Sequence, residues 1–168
     1  MQANPQELYT ELTQNRSFQQ WQKKHTSAYL THFFSSLAST LNLKTNWEIG
    51  YYDATREKIT IFASQDNGDF EIMPEDDIFK SEQAVEALSF SNVKFSFAQA
   101  ATLFKQKVPL LFPKEEISDG FVILQKIKQK TIWNFAFMTK TIQYLNIKID
   151  AETGEIVSSE LITVAQRE

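Results

Sequence analysis

The chain has 168 residues, which suits one domain over 1–168, and 42% of them are hydrophobic, including 14 phenylalanines that indicate a Phe-rich core. The absence of cysteine excludes disulfides, thiol catalysis and cysteine-ligated metal sites. The net charge of −4 disfavours non-specific binding to nucleic acid, which depends on a basic surface.

The first residues, MQANPQELYTELTQNR, have neither a basic start nor an apolar segment, so we expect no secretory signal. No stretch approaches the roughly 18 consecutive apolar residues that a membrane-spanning helix needs. If the chain is the whole gene product, we therefore expect a soluble, cytoplasmic protein without a membrane span.

Two helices are predicted at the N-terminal end. Asn4, followed by Pro5 and Glu7, is a helix-capping pattern and predicts a helix near 5–14. Ser17 followed by Gln20 repeats the capping pattern and predicts a longer helix over 18–42. Its core-facing stripe would consist of residues three and four apart, Leu30, Phe33, Phe34, Leu37 and Leu41.

The apolar period then changes from helical to alternating. NWEIGYYD and KITIFAS predict two strands, and the Asp66-Asn67-Gly68 turn leads to a further extended stretch that ends near Met73. Residues 74–88 are acidic and then weakly helical. Ser96 and Gln99 predict the start of another helix, which Pro109 would end.

Four strands are predicted to follow, near 121–127, 131–138, 143–150 and 155–164. Their short links favour an antiparallel meander, and their alternation gives one face toward helices and one more polar face. The predicted inward set is Trp133, Phe135, Phe137, Leu145, Ile147 and Ile149. The predicted outward set is Gln125, Asn134, Tyr144, Asn146 and Lys148. The fold class is therefore α+β, an antiparallel meander packed against helices.

Two stretches of the chain resemble each other. YYDATREKITIF (51–62) and KIDAETGEIVSSEL (148–161) share Asp-Ala, then Thr, Glu and Ile, with strands on both sides. One interpretation is a pair of diverged α-β-β units, over 18–73 and 94–164, that contribute to one sheet or pair their sheets about a pseudo-twofold axis. The alternative is that a common type of turn sequence simply occurs twice in the chain.

The C-terminal half also resembles a known family. FSFAQAATLFKQK, GFVILQKIKQKTIWNFAFM and LNIKIDAETGEIVSSEL look like a PepSY-type module over about 94–162, with Asp150, Thr153 and Gly154 in the signature turn. The resemblance implies a small cystatin-like domain, with one helix against an antiparallel sheet. It also implies a role in inhibiting or regulating peptidases, without catalytic residues. Such modules are commonly exported, and the expected absence of an export signal departs from that setting.

The histidine, aspartate and glutamate residues do not form a recognisable catalytic or metal-binding sequence pattern. His25 and His32 would lie about 10 Å apart along one helix, too far to share a metal without other ligands. Glu75-Asp76-Asp77 lacks the spacing of a calcium loop, and Asp150 with Glu155 is explained by the turn. We therefore expect no enzyme activity, no resident metal and no cofactor.

Polar and aromatic residues on the outward face suggest a binding surface. Tyr52, Asn134, Tyr144 and Asn146 are the candidate residues for holding a peptide or protein partner. One alternative is a small-ligand carrier or enzyme with a Phe-rich pocket between helix and sheet, lined by Phe33, Trp47 and Trp133. Another is an acidic, dimeric secretion-chaperone-like protein. The sequence leaves the oligomeric state open.

Overall fold

The computed structural model describes residues 4–77 and 85–164. This part of the chain has an α+β fold with a single antiparallel sheet. The helices are α1 (Pro5–Gln14), α2 (Arg16–Lys24) and α3 (Phe97–Leu111), with a short 3₁₀ turn at Phe90–Asn92. The first strands are β1 (Ala28–Leu37), β2 (Glu48–Asp53), β3 (Lys58–Ser64), β4 (Phe70–Ile72) and β5 (Asp76–Asp77). The later strands are β6 (Ile117–Ile127), β7 (Lys130–Thr139), β8 (Gln143–Asp150) and β9 (Ile156–Thr163).

The first long strand of each half, β1 or β6, lies at the centre of the sheet, and β4 and β9 lie at its two edges. Its order is β4-β3-β2-β1-β6-β7-β8-β9, and the short strand β5 pairs with β3. The two halves meet where β1 pairs antiparallel with β6, from His32 opposite Gln125 to Leu37 opposite Gly120. In each half, helical structure is followed by an antiparallel meander, and successive long strands lie farther from the β1–β6 pair, here called the seam.

One face of the sheet carries the helices and the core. Phe18 of α2 packs on Tyr51 and Phe62, with ring centroids 5.1 and 5.2 Å apart. Phe104 of α3 packs on Phe135 at 4.8 Å. The predicted inward residues of the C-terminal half all face this core, with Trp133, Phe135, Phe137, Leu145, Ile147 and Ile149 at most 1% exposed. The aromatic core and the antiparallel meander are thus confirmed.

The predicted helix over 18–42 is wrong beyond Lys24, because residues 28–37 form strand β1. The register shifts between Leu30 and His32, which is a β-bulge that inserts Thr31. The bulge places Leu30 and Phe33, three residues apart, on the same buried face. A bulged strand therefore produced the three-residue spacing that resembles a helix. Leu41 is buried too, but it lies in the loop after β1 with a positive φ of 70°.

The helix ends are partly as predicted. Asn4 caps α1 by accepting the Glu7 amide at 2.9 Å, and Ser96 with Gln99 forms the predicted capping box of α3. Asn15, rather than Ser17, caps α2, since its Oδ1 accepts the Phe18 amide. Pro109 lies inside α3, which ends two residues later at Leu111. Of the weakly helical stretch 74–88, residues 78–84 lie outside the described residues.

The two Asp-Ala turns have the same local chemistry at non-equivalent places. Asp53 and Asp150 each accept the amide two residues on, from Thr55 at 3.1 Å and from Glu152 at 2.8 Å. The first turn joins the second and third strands of its half, whereas the second turn joins the third and fourth strands. The two similar stretches therefore do not place equivalent strands in equivalent positions. The repeat over 18–73 and 94–164 stays a prediction.

The signature turn holds the segment that precedes α3. Gly154 has a φ of +78°, and a Cβ there would lie 2.6 Å from the Phe95 ring. The amides of Lys94 and Phe95 both donate to Ala151 O at 2.9 Å, and Trp133 Nε1 donates to Phe95 O at 2.9 Å. Glycine is needed here for its positive φ and for the close approach of Phe95.

We predict that Gly154→Ala lowers the free energy of unfolding by about 2–3 kcal/mol, because it adds a clash with Phe95 to the strain of a positive φ. Gly68→Ala is the matched control, since Gly68 has a φ of +86° but no atom within 4 Å of the added Cβ. The control should lose only about 1 kcal/mol. Urea denaturation measures both, and equal losses would show that the Phe95 contact does not constrain this turn.

Candidate binding face

The sheet face opposite the helices, here called the open face, carries alternate residues of every long strand. One row of paired residues crosses it from Ala63 through Glu48, Phe34, Ile123, Asn134 and Lys148 to Ser158. Its centre is apolar, with Phe34 and Phe121 in ring contact at 5.5 Å. Both side chains are only half-buried. The open face therefore combines an apolar centre with polar residues toward β8 and β9.

Asn134, Asn146 and Lys148 form one hydrogen-bonded network on this face. Asn146 Nδ2 donates to Asn134 Oδ1 at 2.6 Å and to Phe135 O at 3.0 Å. Lys148 Nζ donates to Asn146 Oδ1 at 2.9 Å. Asn146 is buried, so this network fixes its amide and thereby positions the Lys148 ammonium.

The four predicted binding residues divide into two places. Asn134 and Asn146 are neighbours, and Tyr144 lies two residues before Asn146 on the same face, opposite Met138. Tyr52 lies apart from them, because β1 and β6 separate β2 from β7, a distance of roughly 14 Å. Tyr52 instead contacts Tyr29 edge-to-face, and the Tyr29 hydroxyl donates to Val85 O. Partial burial raises the pKa of both Tyr29 and Tyr144.

A cleft of about 560 Å³, here called the lysine cleft, opens on this face near the sheet edge. Three lysines line it, Lys128, Lys130 and Lys148. Its remaining lining residues are Ile127, Ile132, Val157, Ser158 and Glu160. Lys128, Gln129 and Lys130 form one of the short links that the sequence predicts between the C-terminal strands. The sequence signal for the cleft is the two lysines of this link together with a third, Lys148, in the predicted outward set.

Backbone geometry brings the cleft together. Lys128 and Gln129 have φ of 49° and 69°, which is the pattern of a type I′ hairpin turn that usually uses Asn and Gly. The Gln129 amide donates to Glu86 Oε1 at 3.0 Å, which ties the turn to the segment before α3. On β9 a register shift makes Val157 the extra residue between Ile156 and Ser158, so the bulge turns its side chain toward the cleft.

The histidines have separate structural settings. His25 ends α2 and stacks on Trp21 at 4.5 Å, while His32 lies in β1. The His32 ring covers Gly50, where a Cβ would be 2.1 Å from its Cε1, and its Nδ1 lies 2.9 Å from the Thr31 hydroxyl. Burial lowers the pKa of His32 to about 4. Among residues 4–77 and 85–164, no three His, Asp or Glu side chains are grouped to hold a metal ion.

The carboxylates at the two Asp-Ala turns accept hydrogen bonds that stabilise those turns. Asp53 is buried and accepts hydrogen bonds from the hydroxyls of Ser27 and Thr55 at 2.8 and 2.7 Å. The hydrogen bond from the Thr55 side chain is the main cause of its lowered pKa. Asp150 accepts the amides of Glu152 and Thr153. These hydrogen bonds fix the position of both carboxylates within their turns.

The residues predicted to line a Phe-rich pocket pack within the core. Phe33, Trp47 and Trp133 are at most 2% exposed. The ring centroids of the two indoles lie 6.4 Å apart. Trp47 also touches a surface cleft of about 330 Å³ beside Phe97, to which neither Phe33 nor Trp133 contributes. The small-ligand alternative remains a prediction.

Comparison with known proteins gives a fold likeness. No family model matches the chain, and no curated protein matches it. The crystal structure of a "putative lipoprotein" from Clostridium difficile 630 is similar in fold, with a TM-score of 0.51 at 10% identity, over 86% of this chain and 90% of that chain. At this identity the similarity concerns the fold alone. No described helix is both long and apolar enough to cross a membrane.

We predict that stability falls as the pH drops from about 6.5 to about 4, because of His32. In this window the unfolded chain binds a proton on His32, whereas the folded protein keeps the buried ring neutral down to its pKa of about 4. Proton binding therefore favours unfolding, by on the order of 2–3 kcal/mol at the acid end.

Urea denaturation at about pH 7 and about pH 4.5 measures this difference. His32→Gln should reduce the difference between the two pH values, whatever its effect at either one. A His32→Gln variant with the full wild-type difference would contradict the assignment.

Proposed function

We propose that this protein is a non-enzymatic binding module of PepSY-like type that holds an extended segment of a peptide or protein along β9 and the neighbouring open face. The observation that carries the proposal is the position of the lysine cleft. Its lining includes β9, the last strand in the sheet order, so the cleft reaches the sheet edge. A segment added at that edge can therefore contact the cleft through its side chains.

β9 has the properties of a strand that accepts another strand. Within the described part of the chain it pairs with β8 alone, which leaves its outer backbone groups available. Beyond the bulge at Val157, residues Ser158 to Thr163 pair regularly with β8 and include neither proline nor lysine, which commonly protect exposed edges. Val157 and Ile162 are 43% and 50% exposed. An extended peptide that pairs with such an edge gains backbone hydrogen bonds for affinity and side-chain contacts for specificity.

The PepSY resemblance agrees with this proposal, since it implies a regulatory domain without catalytic residues of its own. The polar groups gathered on the open face are amides and ammonium groups joined to one another. Such groups bind and orient a partner. The regulation of a peptidase would be one use of such binding.

Selection from a displayed library of random short peptides tests the proposal. We expect enriched peptides that perturb the backbone amide resonances of β8 and β9 in the ¹⁵N-labelled protein. Strand addition uses alternate amides of the peptide, so N-methylation of one alternating set should abolish binding. N-methylation of the other set is the matched control and should leave binding intact.

Two results would overturn the proposal. One is the absence of any enriched peptide after repeated selection. The other is a set of binders whose resonance changes lie on the helices or on β2–β4.

A further inference from the structure

We infer that the lysine cleft selects partner segments that carry carboxylate side chains, that is, an acidic extended peptide. This inference rests on the proposed function, because it names the chemistry of the segment held beside β9. It concerns the three lysines Lys128, Lys130 and Lys148, which come from the β6–β7 turn, the start of β7 and the middle of β8.

The charge of the cleft is opposite to that of the whole chain. The protein has a net charge of −4, yet three lysines and one carboxylate, that of Glu160, line this cleft. Within residues 4–77 and 85–164, none of the three lysines forms an ion pair. Three positive charges grouped with a single carboxylate repel one another, and a bound anion reduces that repulsion.

Hydrogen bonds fix the ammonium of Lys148 and the backbone of the turn that carries Lys128. Lys148 Nζ is bonded to Asn146, which is fixed by Asn134 and by Phe135 O. Lys128 occupies a left-handed backbone conformation in a turn that the Glu86 carboxylate anchors through the Gln129 amide. A strained conformation that the surroundings maintain is a mark of functional positions. Because the Lys148 ammonium is already ordered, less conformational entropy is lost when it binds a ligand.

The lining also indicates an extended peptide rather than a single compact anion. The apolar residues Ile127, Ile132 and Val157 line the same cleft, which has a volume of about 560 Å³. Alternate side chains of an extended peptide project to one face about 6.6 Å apart. Two neighbouring acidic side chains at that spacing, with their aliphatic stems on the apolar residues, suit this lining.

The test uses short fluorescein-labelled peptides that alternate Thr with Glu, Gln or Lys, and fluorescence anisotropy at low and high salt. We expect the Glu peptide to bind about tenfold more tightly than the Gln peptide at low salt, and the Lys peptide to bind least. High salt should remove most of the difference between Glu and Gln. Equal binding of the Glu and Gln peptides would overturn the inference.

Three variants locate the effect. Lys128→Gln/Lys130→Gln/Lys148→Gln should lose the preference for Glu. Lys105→Gln/Lys107→Gln/Lys114→Gln is the matched control, since it removes the same charge from α3 and the loop after it and should keep the preference. Asn146→Ala keeps every charge. It should weaken binding of the Glu peptide by a smaller factor than the triple variant of Lys128, Lys130 and Lys148 does. Thermal unfolding midpoints confirm that each variant is folded.

The remaining outcomes separate this inference from the proposed function. Library binders that are neutral or basic, but that still perturb β8 and β9, would leave the proposed function standing and overturn the inference. Inorganic phosphate that displaces the Glu peptide much more strongly than chloride at equal ionic strength would show a phosphate site and also overturn it. Loss of the Glu preference in the α3 control as well would show that net charge, rather than the cleft, is responsible.

Discussion

The pairing of β1 with β6 is the interaction on which the rest of the structure depends. It joins the two halves into one sheet, with Phe33 opposite Leu124 and Ser35 opposite Val122 on the core side. Without it each half would expose a central edge and lose the neighbour that covers half of its core. The same pairing places Phe34 beside Ile123 on the other side, so the open face is continuous because the seam is a regular antiparallel ladder.

The sequence was most informative where alternation was undisturbed. The C-terminal strands follow one another through short turns, and their apolar residues occur at every second position, so order, facing and approximate bounds could be predicted. In β1 the bulge at Thr31 interrupts the alternation and creates a spacing of three between buried residues. A single inserted residue changes the apparent period, and no local signal marks it, because the bulge is stabilised by its partners in β2.

The candidate site was predictable to the same extent and for the same reason. Outward alternation identified Asn134, Asn146 and Tyr144, which share the open face of β7 and β8. It could not show that Tyr52 lies three strands away, since strand order depends on the β1–β6 seam. Nor could it show the lysine cleft, which requires a left-handed turn at Lys128 and Gln129 and a bulge at Val157. Both features arise from contacts between segments far apart in the chain.

The signature turn and the lysine cleft are distinct features that one connecting segment links. Residues 85–95 bond to β1 through Leu88, to the β6–β7 turn through Glu86, and to the signature turn through Lys94 and Phe95. The Phe95 ring packs on Gly154, and its carbonyl accepts the Trp133 indole. The turn residues that resemble a family motif thus hold the segment whose Glu86 anchors the strained hairpin of the cleft. A turn can therefore maintain the geometry of a cleft that it does not itself line.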